Sequence, residues 1–257
     1  MLGKCTKLFI VNILSLILVF SLAPGFAETK APRWVTVGGK IHHPGKIPIE
    51  YMGTNPKKPG RYDYTFNNES FVLFEGAIGP EYHSSLLWEY TKIRNTDRVL
   101  EIGTASGALA INAARIAKSV VATDIVPVAI ENAKFNARNK NVLSSIDFRV
   151  GDLLEPIQDN EKFDVVLFNI VYPYTEKTLH YWKLHERFLS QIGKHLNKNG
   201  RIYYIAGYWE NIPHIRKMVS ENGLEIKQMH MWYMPKYYRE PMVFELQKAP
   251  KNKRFRK

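Results

Sequence analysis

The feature that most constrains the fold is the alternation of short β-rich runs with helical stretches from Arg98 to Gln247. The β-rich runs are residues 98–102, 119–123, 146–150, 163–168, 201–206, 224–231 and 242–247. Helical spacing of apolar residues covers 108–118, 127–138, about 178–196 and 212–221, with a turn at 198–200. This order predicts an α/β fold, a Rossmann-like doubly wound sheet of seven strands with helices on both faces. The sheet is mostly parallel, and its last two strands, with no helix between them, predict an antiparallel edge strand.

Small residues fill the turn between the first strand and the first helix, Gly103-Thr-Ala-Ser-Gly107. Such residues let a backbone approach a ligand closely, and we expect free amides at the start of the helix. In nicotinamide dehydrogenases those amides bind a pyrophosphate. The dinucleotide pattern is matched only weakly here, by Gly103, Ala105 and Ala108.

Three acidic residues occupy the carboxyl ends of consecutive strands, where open α/β sheets bind ligands. Glu101 precedes the turn and can pair with the amino group of an amino-acid-bearing ligand. Asp124 ends the second strand, where a carboxylate can accept both ribose hydroxyls. Asp152 follows the third strand and can accept a hydrogen bond from an adenine amino group. Together they favour a nucleoside bearing an amino acid over a dinucleotide.

These motifs resemble those of a known family. Residues from about Phe71 to Gln247 look like the class I S-adenosylmethionine-dependent methyltransferases of the small-domain type, which include the release-factor glutamine enzymes. The stretch 99–141 also resembles the ribosomal-protein lysine methyltransferases, and residues 75–80, leading to 84–87, resemble the segment that covers the methionine end of the cofactor. The resemblance implies S-adenosyl-L-methionine bound by Glu101, Gly103, Thr104, Gly107, Asp124, Ile125, Asp152 and Asn169.

The sequence departs from the family pattern at two places. Ala105 stands where the family has its middle glycine, which is tolerable if the backbone there is not left-handed. After the fourth strand, Asn169 and Tyr172 match the ends of the Asn-Pro-Pro-Tyr motif of amine and amide methylating families, but Ile170 and Val171 replace both prolines. The Asn-Ile pair resembles the ribosomal-protein lysine enzymes. We therefore expect Asn169 and Tyr172 to act at the methyl acceptor. The alternative is that Tyr172-Pro173-Tyr174 is a turn whose aromatic side chains only pack.

The resemblance implies methyl transfer to a nitrogen of a macromolecule, with protein ahead of RNA or DNA because no RNA-binding domain is attached. The alternatives are a non-catalytic binding protein with this fold in the exported compartment, and a dehydrogenase. No general base is evident: His180, His185 and His195 are expected at the surface of the long helix. Aromatic residues near the end suit either a substrate cleft or the core: Trp232, Tyr233, Tyr237 and Tyr238.

The first 27 residues have the organisation of a signal peptide. Lys4 and Lys7 precede an apolar run over residues 8–23, and small residues follow at 25–27. Cleavage predicts a periplasmic or secreted protein; an uncleaved run would anchor it in a membrane, and a start at Met52 would remove the leader altogether. The only cysteine, Cys5, lies in this leader, so neither a disulfide framework nor a thiolate metal site is expected after it.

Two further segments flank the predicted methyltransferase domain, residues 71–247. Residues 28–70 are expected to form an irregular arm, and its adjacent histidines, His42 and His43, would point apart on a strand, so no metal site is predicted. The chain carries a net charge of +12, and residues 248–257 form a basic tail. This tail either solubilises the protein or binds an anionic partner such as nucleic acid or a membrane surface.

Overall fold

The computed structural model describes residues 39–42, 49–54, 60–173, 175–207, 211–232 and 242–250. The predicted leader, the tail from residue 251 and several singled-out side chains (His43, Tyr233, Tyr237 and Tyr238) lie outside these ranges. Within them, no helix combines the length and apolar character needed to cross a bilayer. The apolar run over residues 8–23 is not among them, so its prediction stays open.

An eight-stranded sheet forms the centre of the fold. Seven of its strands are the predicted ones: β5 (Arg98–Ile102), β6 (Ser119–Asp124), β7 (Ile146–Val150), β8 (Phe163–Phe168), β9 (Leu196–Ala206), β10 (Leu224–Trp232) and β11 (Met242–Lys248). With β1 (Gly39–His42), the order is β1-β10-β11-β9-β8-β5-β6-β7. β11 is antiparallel to both of its neighbours, as the missing helix between β10 and β11 implied. The predicted Rossmann-like α/β fold is confirmed.

In the part of the chain that the structure describes, five α-helices connect or flank the strands: α1 (Tyr82–Tyr90), α2 (Ala108–Ala114), α3 (Pro127–Asn139), α4 (Trp182–Ile192) and α5 (Ile212–Glu221). The predicted helix over 178–196 is shorter than expected, because 3-10 turns occupy Glu176–Tyr181 and Gly193–His195 on either side of α4. The predicted turn at 198–200 is instead an irregularity inside β9. There the register against β8 shifts between Phe163 and Val165, so residues 197–200 bulge from the ladder.

The segment before the domain is not the irregular arm that we expected, at least from Gly39 onward. β1 (Gly39–His42) adds a parallel strand to the outer edge of β10. β2 (Ile49–Thr54), β3 (Arg61–Phe66) and β4 (Glu69–Phe74) form a separate antiparallel sheet. The predicted boundary at residue 70 therefore falls inside the β3–β4 hairpin. Proline and glycine in this stretch mask a strand alternation that becomes evident only when the strands pair.

A hydrophobic core lies on each face of the large sheet. One core packs α4 and α5 against the sheet through residues such as Phe188, Ile192 and Ile215. The other packs α1, α2 and the β3–β4 hairpin against the opposite face, with Tyr64, Leu87 and Ile111 fully buried. Because both faces are covered, ligands are left the two rims of the sheet, and open α/β sheets bind them at the carboxyl ends of the parallel strands.

Candidate active site

The predicted site residues line up along the carboxyl edge of four adjacent strands, in the spatial order β8-β5-β6-β7. Asn169 follows β8, Glu101 lies near the end of β5, Asp124 ends β6, and Asp152 comes just after β7. The sequence order of these strands differs from their spatial order, since β8 inserts next to β5. The fold therefore brings the presumed acceptor residue beside the first acidic residue, and not beside the last.

The turn between β5 and α2 has left-handed backbone at every second residue. The φ angles are +74° at Gly103, +52° at Ala105 and +86° at Gly107. The condition that we set for Ala105 is therefore not met: a residue with a Cβ occupies a region that glycine adopts without strain. Strain of about 1–3 kcal/mol at a non-glycine residue is characteristic of functional loops, where surrounding contacts hold the conformation.

Four of the five amides of residues 103–107 are engaged within the protein. Those of Gly103 and Thr104 both donate to the carbonyl oxygen of Thr123, at 2.8 and 2.9 Å. The amide of Gly107 donates to the carbonyl of Thr104 at 2.8 Å, and that of Ala105 donates to Asp124 Oδ2 at 2.8 Å. A pyrophosphate would need such donors unoccupied, so the geometry speaks against the dinucleotide interpretation.

Glu101 is buried beneath the turn, with 3% of its surface exposed. Its Oε2 accepts a hydrogen bond of 2.7 Å from the hydroxyl of Thr104. Burial raises the pKa of Glu101 to about 8, and the negative charge of Asp124 acts in the same direction. A carboxyl group held protonated near neutrality ionises when a cation arrives, so Glu101 is suited to respond to a positively charged ligand above it.

Asp124 is held in place by backbone on both sides. Its Oδ1 accepts from the amide of Val126 at 2.9 Å, and its Oδ2 accepts from the amide of Ala105. Each carboxylate oxygen keeps a lone pair for a further donor such as a ribose hydroxyl. The next residue, Ile125, exposes 62% of its surface, and Val126 is also exposed. An apolar side chain directly beside an oriented carboxylate matches a ligand with a diol next to a flat ring.

The third acidic residue lies at the far end of this edge. Asp152 Oδ2 pairs with the guanidinium of Arg187, on α4, at 2.7 Å. This ion pair orients the carboxylate and occupies one of its oxygens. Val150, at the end of β7, is half exposed and pairs in register with Asp124. The predicted adenine contact of Asp152 stays a prediction.

The loop after β8 is tied to the beginning of α1. The side-chain amide of Asn169 donates to Ser84 Oγ at 2.9 Å, and the hydroxyl of Tyr172 is hydrogen-bonded to Nε2 of His83. A Cβ added at Gly103 would lie 2.7 Å from Cγ2 of Ile170, so only glycine lets this loop lie against the turn after β5. The two predicted acceptor residues thus belong to one constellation with α1.

His83 was missed at the level of the sequence. It stands outside any motif with a catalytic spacing, and its partner Tyr172 is 89 residues away. Its Nδ1 contacts Glu81 Oε2 at 3.0 Å, and this hydrogen bond lowers the pKa of Glu81. The only signal was its place in the segment leading to residues 84–87, which the family resemblance assigns to the cofactor side.

Two of the histidines expected at the surface are in fact buried. His185 is fully buried, its Nε2 lies 3.0 Å from the carbonyl of Val171, and its Nδ1 is hydrogen-bonded to the hydroxyl of Tyr204. Burial lowers the pKa of His185 to about 4, so it stays neutral. His195 is also buried, with Nδ1 3.0 Å from the carbonyl of Glu161, whereas His180 is exposed as expected. Helical periodicity in that stretch was too irregular to reveal which face meets the core.

His185 has a consequence for the loop that lacks the family's prolines. Because a carbonyl oxygen only accepts, Nε2 of His185 must donate to Val171, and Nδ1 must accept from Tyr204. Burial raises the pKa of Tyr204 well above its usual range, so its hydroxyl keeps the proton that it donates. This fixed chain holds the backbone at Val171, a task that proline performs by its ring.

The small N-terminal sheet reaches the same site. The hydroxyl of Tyr64 in β3 lies 2.8 Å from Ser106 Oγ in the turn. From α3, Asn136 accepts from the amide of Val72 at 3.0 Å and donates to the carbonyls of Val72 and Ser106 at 2.8 and 2.9 Å. Asn132 bonds the same strand at Val72 and Phe74. Two buried asparagines thus join β4 to the turn that carries the site.

The described ranges contain no group of three or more histidine, cysteine or acidic residues able to hold a metal ion. A cavity of about 520 Å³ lies at the amino-terminal ends of the strands, lined by residues that include Arg94, Asp164 and Arg201. It is on the opposite edge of the sheet from the acidic residues and has no connection with the site just described.

Comparison with known proteins places this geometry in context. The profile of a family described as "Methyltransferase domain" matches residues 93–249. A ribosomal protein L11 methyltransferase of Lactobacillus johnsonii is 34% identical over 130 residues, 50% of this chain and 37% of the relative. A release factor glutamine methyltransferase of Clostridium acetobutylicum is 34% identical over 135 residues, 48% of this chain and 47% of the relative. The chain thus spans less than half the length of these two relatives.

Solved structures agree on the fold. A ribosomal protein L11 methylase from Lactobacillus delbrueckii subsp. bulgaricus superposes with a TM-score of 0.54 and 25% identity, covering 69% of this chain and 84% of that one. A tRNA m1G37 methyltransferase of M. jannaschii gives a TM-score of 0.57 over 75% of this chain and 58% of that one. The sequence identity to this second structure is only 16%, so the similarity supports the fold alone.

Proposed function

The chain belongs to the methyltransferase-domain family, whose methyl donor is S-adenosyl-L-methionine, and we propose that it transfers a methyl group from this donor to a nitrogen of a protein. RNA and DNA are the next acceptors to consider. The match covers less than half of each of the two relatives, so the activity and the substrate of this chain are proposed here.

The residues at the carboxyl edge of the sheet suit this donor. It carries an amino acid and a sulfonium with positive charges, a ribose diol and an adenine. Glu101, whose pKa is raised by burial, would respond to the cationic end. Asp124, oriented by two amides, would accept the ribose hydroxyls, with Ile125 against the ring and Asp152 near its amino group. Bound there, the donor supplies an electrophilic methyl group, and the chain's own residues position the acceptor.

The observation that carries the proposal is the order of side chains along the strand edge. Asn169, Glu101, Asp124 and Asp152 follow the spatial strand order β8-β5-β6-β7. An elongated ligand lying along this edge would have its amino-acid end at β5 and its base at β7. The methyl group would then lie on the side of β8, where Asn169 and Tyr172 are. A dinucleotide would use an acid at the position of Asp124 but not at that of Glu101, and its pyrophosphate would need turn amides of which those at Gly103, Thr104, Ala105 and Gly107 are already engaged.

Two observations bear on the acceptor, one on its chemical group and one on its class of macromolecule. The loop has Ile170 and Val171 where the Asn-Pro-Pro-Tyr motif has its prolines, and this departure favours an amine over a planar amide or base. The relatives at 34% identity are named for a ribosomal protein and for glutamine of a release factor, so they favour a protein over a nucleic acid without distinguishing an amine from an amide. In this chain the acceptor is proposed to be a protein nitrogen on the same basis.

The test is transfer of label from tritiated S-adenosylmethionine to a cell extract by the purified protein. We expect a protein band to be labelled by the wild type and not by Asp124→Ala, which removes the acceptor of two loop amides and of the proposed ribose contact. Asp159→Ala is the matched control, because Asp159 is an exposed acid before β8 that pairs with Lys194 at the surface, away from the strand edge. Label that is removed by nuclease and not by protease would show that the acceptor is a nucleic acid and not a protein.

Donor binding without any labelling would favour the alternative, a non-catalytic binding protein with this fold. The leader over residues 1–27 motivates that alternative, since the donor is made in the cytosol. We propose that the leader directs export or anchors the chain in a membrane. N-terminal sequencing of the protein recovered from cells distinguishes cleavage after Ala27, an intact leader and a start at Met52.

A further inference from the structure

A carboxylate, an imidazole and a phenol join the start of α1 to the acceptor loop, and we propose that Glu81, His83 and Tyr172 form a relay that takes the proton from the acceptor amine. The inference rests on the proposed transfer to a protein nitrogen. It adds the group that the sequence did not reveal, a proton acceptor at the reacting end of the site.

The three side chains are in hydrogen-bond contact in series. Tyr172 is bonded through its hydroxyl to Nε2 of His83, and Nδ1 of His83 lies 3.0 Å from Glu81 Oε2. The rings of His83 and Tyr172 meet edge to face, with centroids 5.2 Å apart and planes at 84°. Ser84 supports the arrangement, since its Oγ accepts from the amide of Glu81 at 3.3 Å and from the side chain of Asn169.

The hydrogen-bond partners determine the direction of proton flow. An ionised Glu81 can only accept, so Nδ1 of neutral His83 carries the proton and donates to it. The Nε2 atom then has a lone pair, and the Tyr172 hydroxyl must donate to it. A carboxylate that orients an imidazole, whose far nitrogen faces a hydroxyl, is the same logic as in hydrolytic triads. Here the hydroxyl is a phenol.

The end of the series from which a proton must leave is exposed to solvent, whereas the end that accepts it is buried. Tyr172 and His83 are each 8% exposed, whereas the side chain of Glu81 is 55% exposed. A proton accepted at the buried end can therefore reach water at the other. This gradient distinguishes the series from a buried hydrogen-bond pair, which has no outlet.

Few other charges act on His83 from the described residues. Tyr82 stacks beside it on its own segment, with ring centroids 3.9 Å apart. On β9 and β11, which pack against α1, the titratable side chains of that face are Arg201, Tyr203 and Glu245. Arg201 donates to the carbonyl of Lys92, beyond the far end of α1, so this group lies about two helical turns from His83. Glu81 is thus the charge that governs the imidazole.

A protein amine is protonated near neutrality, with a pKa of about 10.4 for lysine, and cannot attack a methyl group in that form. In the proposed step, the Tyr172 proton moves to Nε2 of His83 while an ammonium proton moves to the phenolic oxygen. The neutral amine then uses its lone pair to form the N–C bond as the S–C bond breaks, and that bond pair remains on sulfur. The imidazolium charge is offset by Glu81, which passes the proton to water.

The other histidine–tyrosine pair of the site offers a matched contrast. His185 and Tyr204 are also hydrogen-bonded, but both are fully buried and no carboxylate contacts His185 among the described residues. That pair holds the loop backbone at Val171. Replacing His185 should therefore disturb the position of the acceptor loop equally at every pH, whereas replacing His83 should remove a proton acceptor.

The experiment measures labelling of the extract protein band at pH 7 and pH 9.5 for the wild type, His83→Gln and His185→Gln. Glutamine at 83 can still accept from Tyr172 but takes up no proton. We expect His83→Gln to be about 100-fold slower at pH 7, within the usual range for general base catalysis. At pH 9.5 the difference should shrink below about fivefold, because more of the amine is then neutral without assistance. For His185→Gln the ratio to wild type should be the same at both pH values.

A deficit of His83→Gln that is equal at pH 7 and pH 9.5 would overturn the relay while leaving methyl transfer intact. No labelling by the wild type would overturn the proposed function and the relay together. Should His83→Gln fail to fold, Glu81→Gln replaces it, since Glu81 is half exposed and its change disturbs no core. It should be about tenfold slower at pH 7 and recover at pH 9.5.

A second readout needs neither donor nor acceptor. Nitrogen-15 NMR of the free protein at pH 8.5 reports which ring nitrogen of neutral His83 carries the proton, with His83→Gln used to assign the signals. The relay requires protonation at Nδ1 in the wild type, where the ionised Glu81 can only accept. A wild-type signal for protonation at Nε2 would contradict the proposed direction of proton flow.

Discussion

The amide of Ala105 donates a 2.8 Å hydrogen bond to Asp124 Oδ2, and the alanine that makes this bond has left-handed backbone, with φ of +52°. The bond joins the turn after β5 to the residue that ends β6. It therefore couples the shape of the turn to the carboxylate proposed to bind ribose, and it maintains a conformation that alanine disfavours.

Replacing Ala105 with glycine should stabilise the protein. Glycine adopts positive φ without strain, and this gain exceeds the larger entropy that glycine brings to the unfolded chain. We expect the free energy of unfolding to rise by about 0.5–1 kcal/mol, measured by urea denaturation. Ala129→Gly in α3 is the control and should lower stability by about 1 kcal/mol, because that residue is helical. A loss of stability in Ala105→Gly would show that its φ is not strained.

Glu101→Gln should remove a pH dependence of stability. The folded-state pKa is about 8 and the ordinary value 4.5, so the folded protein retains a proton that the unfolded chain releases between these values. The contribution of Glu101 is fully present below pH 4.5 and is lost as the pH rises through 8. The loss is at most about 1.4 kcal/mol per pH unit in that window.

Thermal unfolding of the wild type and of Glu101→Gln from pH 5 to pH 9 measures this pH dependence of stability. The glutamine variant should become the more stable one toward pH 9, although it should bind the cationic donor more weakly. Glu131→Gln, on the exposed face of α3, provides the control and should follow the wild type. Parallel curves for wild type and Glu101→Gln would mean that burial of Glu101 does not disfavour its ionised form.

Glu161 should give stability the opposite dependence on pH. Hydrogen bonds from Arg149, followed by the amide of Gln158 and by Arg98, lower the pKa of Glu161 to about 2. Its contribution of about 3 kcal/mol is therefore present above pH 4.5 and is lost as the pH falls through 2. Glu161→Gln should be less stable than wild type at pH 7, by about 2–3 kcal/mol in urea, and the two should converge near pH 2. A difference that persists at pH 2 would point to lost packing instead.

Asn136→Ala should weaken both the fold and the site. The change removes three buried hydrogen bonds to Val72 and Ser106, leaving their backbone groups without those partners. We expect a loss of about 2–4 kcal/mol in urea denaturation and weaker donor binding by calorimetry, because Ser106 belongs to the turn. Asn139→Ala, at the exposed end of α3, should change neither quantity. Unchanged donor binding in Asn136→Ala would show that the contacts between the N-terminal sheet and the turn do not contribute to the donor site.

The sequence revealed the strands of the large sheet better than the side chains that complete the site. Strands such as Arg98–Ile102 and Ile146–Val150 have the predicted limits because buried apolar runs end at turn residues. His83 and His185 were not identified, since their partners lie 89 and 19 residues away and only folding brings them together. Ala105 was taken as a tolerable departure on the condition that its backbone is not left-handed, and the φ of +52° shows that the condition is not met.

The N-terminal segment illustrates a different limit. Prolines and glycines between residues 28 and 60 suggested an irregular arm, yet β1 adds to the large sheet and β2 to β4 form a second one. Short strands are stabilised mainly by their neighbours, so their own residues carry a weak signal. Asn132 and Asn136, unremarkable in an amphipathic helix, are the residues that bind β4.

The most direct test of the central claim is calorimetric titration of the protein with S-adenosylhomocysteine, the demethylated product, and with NAD. The account predicts that the product binds and that NAD does not. In Asp124→Ala, the loss of hydrogen bonds worth about 2–3 kcal/mol should weaken product binding by roughly 30- to 150-fold. Asp159→Ala should bind as the wild type does. Binding of NAD with no binding of S-adenosylhomocysteine would contradict the assignment of this strand edge to the methyl donor.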